Sequence, residues 1–83
     1  MRAYNKAVPQ NQKTFTAYIE WDPDTALYVG MIPGIAGAHS QGKTLDELRT
    51  NLKEVLELCM EDYVGDVDDL PRFVGLQQIE VAV

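Results

Sequence analysis

A single stretch of this 83-residue chain has helical periodicity, and that limits the folds the chain can adopt. Apolar residues recur every three or four positions from Leu45 to about Asp62, which would give a helix one apolar stripe. The stripe consists of Leu45, Leu48, Leu52, Val55, Leu56, Cys59 and Tyr63. Because one helix can cover only one face of a sheet, the opposite face should stay open as a contact surface.

Four segments have the pattern of strands. Residues 14–21 alternate between apolar and polar side chains, and residues 26–32 form the return strand after a turn at residues 22–25. Residues 35–41 suggest a short third strand, and residues 73–83 alternate again near the end of the chain. The predicted order is β-β-β-α-β, an α+β fold with a small, mostly antiparallel sheet. We expect one helix to cover the face with Leu27, Val29 and Met31, leaving Tyr18, Tyr28 and Ile32 exposed on the other.

The run from Gly37 to Thr44 has two interpretations. It matches G-x-x-x-x-G-K-[ST], a phosphate-binding loop, but that loop requires a parallel sheet with an acid-bearing second strand. The strand pattern of this chain does not supply one. The run instead has the features of a helix start, with Thr44 and Glu47 in a capping box. We predict that Gly42 has a positive φ at the strand-to-helix corner and that all three residues are structural.

Charge is unevenly distributed along the chain. Residues 1–13, predicted to be a polar tail, carry Arg2, Lys6 and Lys13 and no acid. Residues 14–83, the predicted domain, carry four basic and 13 acidic side chains, a net charge of −9. Such a body repels nucleic acid and favours a basic partner, although it also serves solubility. No stretch is long and apolar enough for a membrane span, and the one cysteine suits a cytoplasmic protein.

The residue pattern does not indicate a catalytic or metal site. His39 and Ser40 are neighbours on a predicted strand and therefore point to opposite faces, while Cys59 lies within the apolar stripe. The loop acids at positions 22, 24, 66, 68 and 69 lack the spacing of a calcium loop. We therefore predict no catalytic residue, no metal, no cofactor and no enzymatic activity.

Residues 28–48 resemble the signature of HicB-type antitoxins, with a strand, a Pro-Gly turn, a Ser-Gln-Gly corner, and a threonine and acids that open a helix. Residues 49–58 resemble the family's helix, and residues 73–83 resemble the last strand of its short members. The cysteine usual near the Pro-Gly turn is absent, and Ala38 or His39 occupies that neighbourhood. The resemblance covers about residues 14–83. It implies a bacterial protein with a partial ribonuclease-H-like fold that lacks the nuclease's catalytic acids.

The resemblance also implies a function. Such a protein is the antitoxin of a type II toxin–antitoxin system and binds and masks a small basic HicA-type toxin, an mRNA interferase. Short members lack the C-terminal DNA-binding segment, so direct DNA binding is not expected. Two alternatives stay open: an oligomeric scaffold of the same fold without a toxin, and a metal-dependent nuclease remnant.

Two sets of contact residues follow as hypotheses. For the toxin we expect contacts at Glu20, Asp22, Asp24 and Tyr28, with the helix acids Glu54, Glu57 and Glu61 as a second set. For self-association into a homodimer or homotetramer we expect Tyr18 and Ile32. The toxin set combines charge with an aromatic anchor, and the self-association set is aromatic and apolar, as the cores of protein interfaces are.

Overall fold

A computed structural model describes residues 13–83 and contains one antiparallel sheet and one long helix. The strands are β1 (Tyr18–Asp22), β2 (Leu27–Met31) and β3 (His39–Gly42), arranged in the order β1-β2-β3. Helix α1 (Leu45–Glu61) follows, and a short 3-10 turn spans Val67–Asp69. The predicted α+β class and the β-β-β-α order are confirmed. The predicted tail lies outside the described residues, apart from Lys13.

The turn between β1 and β2 depends on the side chain of Asp22. Its carboxylate accepts hydrogen bonds from the Asp24 N–H at 3.0 Å and from the Thr25 hydroxyl at 2.9 Å. The Ala26 N–H closes the turn by donating to the Asp22 carbonyl at 2.8 Å. Ala26 has a φ of 60°, in the left-handed region that a Cβ disfavours. The turn therefore contains one strained residue.

Replacing Ala26 by glycine should stabilise the protein by about 0.5–1 kcal/mol, because glycine adopts a positive φ without a steric penalty. Urea unfolding followed by circular dichroism would measure the change. Ala36→Gly is the matched control, since Ala36 is exposed and its φ is not positive. The control should lose stability, because glycine makes the unfolded chain more flexible. An equal gain in both variants would contradict the assignment of strain to Ala26.

Helix α1 covers the sheet face opposite to the predicted one. A Cβ added to Gly30 would lie 2.9 Å from Leu52 Cδ1 and 3.3 Å from Leu48 Cδ2, so the helix packs directly on this glycine. Tyr28 and Ile32 share this face by strand alternation. Ile32 is only 5% exposed and forms the core with Ile35 and Ala38. The prediction that Tyr28 and Ile32 lie on the uncovered face is therefore wrong, because Gly30 lets the helix approach on their side.

The corner between β3 and α1 brings two backbones close together. The Thr44 hydroxyl accepts from the Glu47 N–H at 3.0 Å, and the Glu47 carboxylate accepts from the Lys43 N–H. The positive-φ glycines of the described chain are Gly34, Gly37 and Gly65, so the predicted positive φ at Gly42 is wrong. Gly42 is buried, and a Cβ there would lie 2.5 Å from the Leu48 backbone nitrogen. Glycine is required at this position because the first turn of α1 leaves no room for a side chain.

Residues 70–83 follow the 3-10 turn and form no strand within the chain. From residue 74 onward the apolar side chains are almost fully accessible, with Val74 95%, Leu76 86%, Ile79 79% and Val81 72% exposed. The predicted last strand at residues 73–83 is therefore absent from this sheet. Alternation makes a segment suitable for pairing, but a strand forms only where a neighbouring edge satisfies its backbone groups.

Candidate protein-binding surfaces

The sheet face turned away from α1 is one candidate surface, which we call the open sheet face. Strand register places Tyr18 beside Met31, Glu20 beside Val29, and Met31 beside His39 on this side. A shallow groove of about 320 Å³ runs between these side chains. The open sheet face thus offers apolar and aromatic contacts beside the exposed Glu20 and His39, a composition common at protein interfaces.

The structure does not bring the first predicted set of toxin contacts into one patch. Glu20 is exposed on the open sheet face and Asp24 is exposed in the turn, but the Asp22 carboxylate is occupied by the hydrogen bonds of that turn. Tyr28 lies on the helix side, where its ring meets Trp21 with centroids 4.9 Å apart.

The predicted self-association residues are also divided between two environments. Tyr18 is on the open sheet face and 41% exposed, so it is available to a partner. Ile32 is buried in the core below α1 and cannot form an interface between folded copies. An interface would need to combine Tyr18 with other exposed residues.

A second candidate surface, the acidic end, lies where α1 finishes and the chain continues into the 3-10 turn. Residues 54–69 contain seven acids and no lysine, arginine or histidine, and all seven acids are exposed. They are Glu54, Glu57, Glu61, Asp62, Asp66, Asp68 and Asp69. Over the part of the chain that the structure covers, one ion pair forms, between Lys13 and Asp68 at 3.8 Å. Most of this negative charge therefore has no basic partner among the described residues.

The acidic end is unfavourable for the isolated helix. The last turn of α1 contains no basic residue, although the carboxyl end of a helix favours cations, each typically by about 0.3–1 kcal/mol. Leu58 is 65% exposed and lies one helical turn from Glu54, Glu61 and Asp62. An apolar side chain among acids suits a basic partner that has an apolar pocket.

Sequence reasoning found only part of the acidic end. The second predicted contact set contains Glu54, Glu57 and Glu61 but none of the acids after the helix. The available signal was the absence of any basic residue between Lys53 and Arg72. Residues 54–69 run from the second half of α1 through the 3-10 turn, so helix acids and loop acids belong to one continuous segment of the chain.

The residues considered for chemistry occupy separate places. His39 is exposed on the open sheet face, whereas Ser40 points to the helix side. The Cys59 thiol is half-buried, 3.6 Å from the Ala36 carbonyl oxygen. Glu80 is exposed in residues 70–83, outside the sheet that contains Glu20, so the two acids do not share a strand pair. Within residues 13–83, no group of three or more histidine, cysteine or acidic side chains is placed to hold a metal.

The phosphate-loop pattern has a structural use at its carboxyl end. Its Thr44 hydroxyl and Lys43 N–H are both bonded to Glu47, and the sheet beside it is antiparallel throughout the described chain. The antiparallel arrangement lacks the parallel strands that such a loop requires.

None of the helices seen in residues 13–83 combines the length and apolarity needed to cross a membrane.

Comparison with known proteins places this architecture in a family. Residues 15–71, which include the sheet, α1 and the acidic end, match the family described as UPF0150-like. The chain belongs to the UPF0150-like family. A UPF0150 protein of Thermotoga maritima is 53% identical over 70 residues, covering 84% of this chain and 92% of that protein. No solved structure gives a significant match.

Two further UPF0150 relatives extend the similarity. One from Archaeoglobus fulgidus is 42% identical over 67 residues, which is 81% of this chain and 93% of that protein. One from Synechocystis is 38% identical over 71 residues, which is 86% of this chain and 99% of that protein. The UPF0150-like match ends at residue 71, so residues 72–83 lie beyond it.

Proposed function

We propose that this chain is a non-catalytic antitoxin that binds and masks a small basic HicA-type mRNA interferase. Two observations support the proposal. Residues 28–48 resemble HicB-type antitoxins, and the acidic end exposes seven acids over residues 54–69 without a basic residue among them. The acidic end carries the argument, because within residues 13–83 only Asp68 of its seven acids has a basic partner, which leaves the other six for a basic protein.

The mechanism is occlusion by charge complementarity. A ribonuclease must present positive charge to the RNA phosphates, and each phosphate contact contributes to its affinity. The acidic end would compete for those cations, speed the encounter of the two proteins and exclude RNA while bound. Leu58, exposed among the acids, would supply the apolar anchor that charge alone lacks.

The test uses the protein encoded next to this chain's gene, co-expressed with it and purified through a tag on one partner. We expect a complex that inhibits the partner's RNA cleavage. Its affinity should fall at least about tenfold between roughly 50 and 500 mM salt, because salt screens exposed charges. Failure to co-purify at low salt, together with uninhibited cleavage, would contradict the proposal and favour the scaffold without a toxin.

A further inference from the structure

The outer edge of β1 has no neighbouring strand within residues 13–83. Within the described residues, the outward-facing N–H and C=O groups of β1 therefore have no hydrogen bonds to a neighbouring strand. Proteins usually protect an exposed edge of this kind. On the helix side of this strand, Ile19 and Trp21 are 50% and 52% exposed, because α1 packs on β3 and β2 and does not reach β1. We call these two residues the β1 ledge. An open edge beside an apolar ledge has the features of a site for an added strand.

Residues 74–83 have the properties that such a site requires. Ile79, Val81 and Val83 alternate with polar or small side chains, so an extended conformation would place them on one face. All three are exposed to solvent. Ten extended residues reach about 33 Å, whereas the five residues of β1 span about 17 Å. The segment is long enough to cover the whole edge.

The connection from α1 brings the chain to the start of β1 and then leads away from it. The Phe73 ring lies edge-on to Tyr18, with centroids 6.0 Å apart. Leu70 and Pro71 pack on the backbone of Gly34, where an added Cβ would lie 2.8 Å and 2.9 Å from their side chains. The chain is thus anchored up to Phe73. Beyond that point the segment leaves the β1 edge of its own chain, and its apolar face stays uncovered.

We propose that residues 74–83 of each chain add to the β1 edge of a second copy and cover its ledge with Ile79, Val81 and Val83. A second copy is the occupant because the free strand and the free edge belong to the same chain. A twofold axis then satisfies both edges with one self-complementary contact. Short anchored connections of this kind favour exchange between copies over closure on one chain. The proposal does not depend on the antitoxin function, since the acidic end takes no part in it.

Sedimentation velocity on the full chain tests the proposal. We expect a dimer of 18.6 kDa, twice the 9.3 kDa chain. The double variant Ile79→Lys/Val81→Lys should sediment as a monomer, whereas Gln78→Lys/Ala82→Lys, with the same added charge on the other face, should remain a dimer. The helix signal in circular dichroism should be unchanged in both, because the segment lies outside the packed core.

Mixing two variants distinguishes exchange from closure. Ile79→Lys/Val81→Lys keeps an intact edge, and Ile19→Lys keeps an intact segment, so each alone should be monomeric. Together they should form a heterodimer with one intact junction, recovered through a tag on one variant. A monomeric full chain, a dimer that survives Ile79→Lys/Val81→Lys, or a mixture that stays monomeric would each overturn the proposal.

Discussion

Gly42→Ala should destabilise the protein by about 3 kcal/mol, the upper range for adding a methyl group to a packed site. The new Cβ would lie 2.5 Å from the Leu48 nitrogen and 2.9 Å from its Cα. These are backbone atoms in the first turns of α1, so no side-chain rotation can relieve the contact. A chain of this length has a total stability of about 4–12 kcal/mol, and the loss would be a large part of it.

Urea unfolding monitored at the helix signal would measure this loss, with Gly75→Ala as the matched control. Gly75 has no atom within 4 Å of an added Cβ, so the same substitution there meets open space. The control should change stability by less than about 0.5 kcal/mol. Similar losses at the two positions would show that chain flexibility, and not helix approach, determines the effect.

Reversing charge at the acidic end should separate binding from stability. The double variant Glu57→Lys/Glu61→Lys should weaken toxin binding roughly 100-fold, because it places two cations against a basic surface. The same variant should keep nearly the stability of the parent, because the lysine at position 61 suits the carboxyl end of α1 by about 0.3–1 kcal/mol. The lysine at position 57 offsets this gain, since it faces Lys53 one helical turn away. Loss of binding by a protein whose unfolding temperature is nearly unchanged cannot come from misfolding.

The comparison variant is Glu20→Lys/Asp24→Lys, which makes the same change in charge on the open sheet face and the β1–β2 turn. It should retain toxin binding to within a few-fold, the modest effect of charges away from an interface. Isothermal titration calorimetry at one salt concentration would compare the three proteins. If the comparison variant loses more affinity than Glu57→Lys/Glu61→Lys, the toxin binds the open sheet face and the acidic end has another role.

The local signals in the sequence predicted the elements well. The apolar stripe gave helix α1 within a residue or so of its observed bounds, and alternation with an Asp-Pro turn gave the first two strands. Thr44 and Glu47 indicated the start of the helix because capping depends on a few neighbouring residues. Each of these features depends on residues close together in the sequence, so the sequence alone is enough to predict it.

The choice of sheet face could not be predicted from alternation alone. β2 and the residue that follows it carry apolar or aromatic side chains on both faces, with Val29 and Met31 on one side and Tyr28 and Ile32 on the other. The deciding residue is Gly30, whose missing side chain lets Leu48 and Leu52 approach the backbone. The alternation of apolar and polar side chains does not show that a glycine can serve as the surface on which a helix packs. The strand predicted at residues 73–83 is absent for a related reason: alternation does not reveal whether a sheet edge is available to pair with the segment.

The two sides of the sheet differ in their capacity to accept another chain. β3 contributes only four residues, and its Gln41 carbonyl already accepts a hydrogen bond from the Asn51 side chain of α1 at 2.8 Å. Stacking of strands into a fibril requires receptive borders on both sides of every subunit. Because one backbone carbonyl of β3 is already occupied by a side chain of its own helix, the β3 edge is the less receptive border, and this opposes stacking into a fibril.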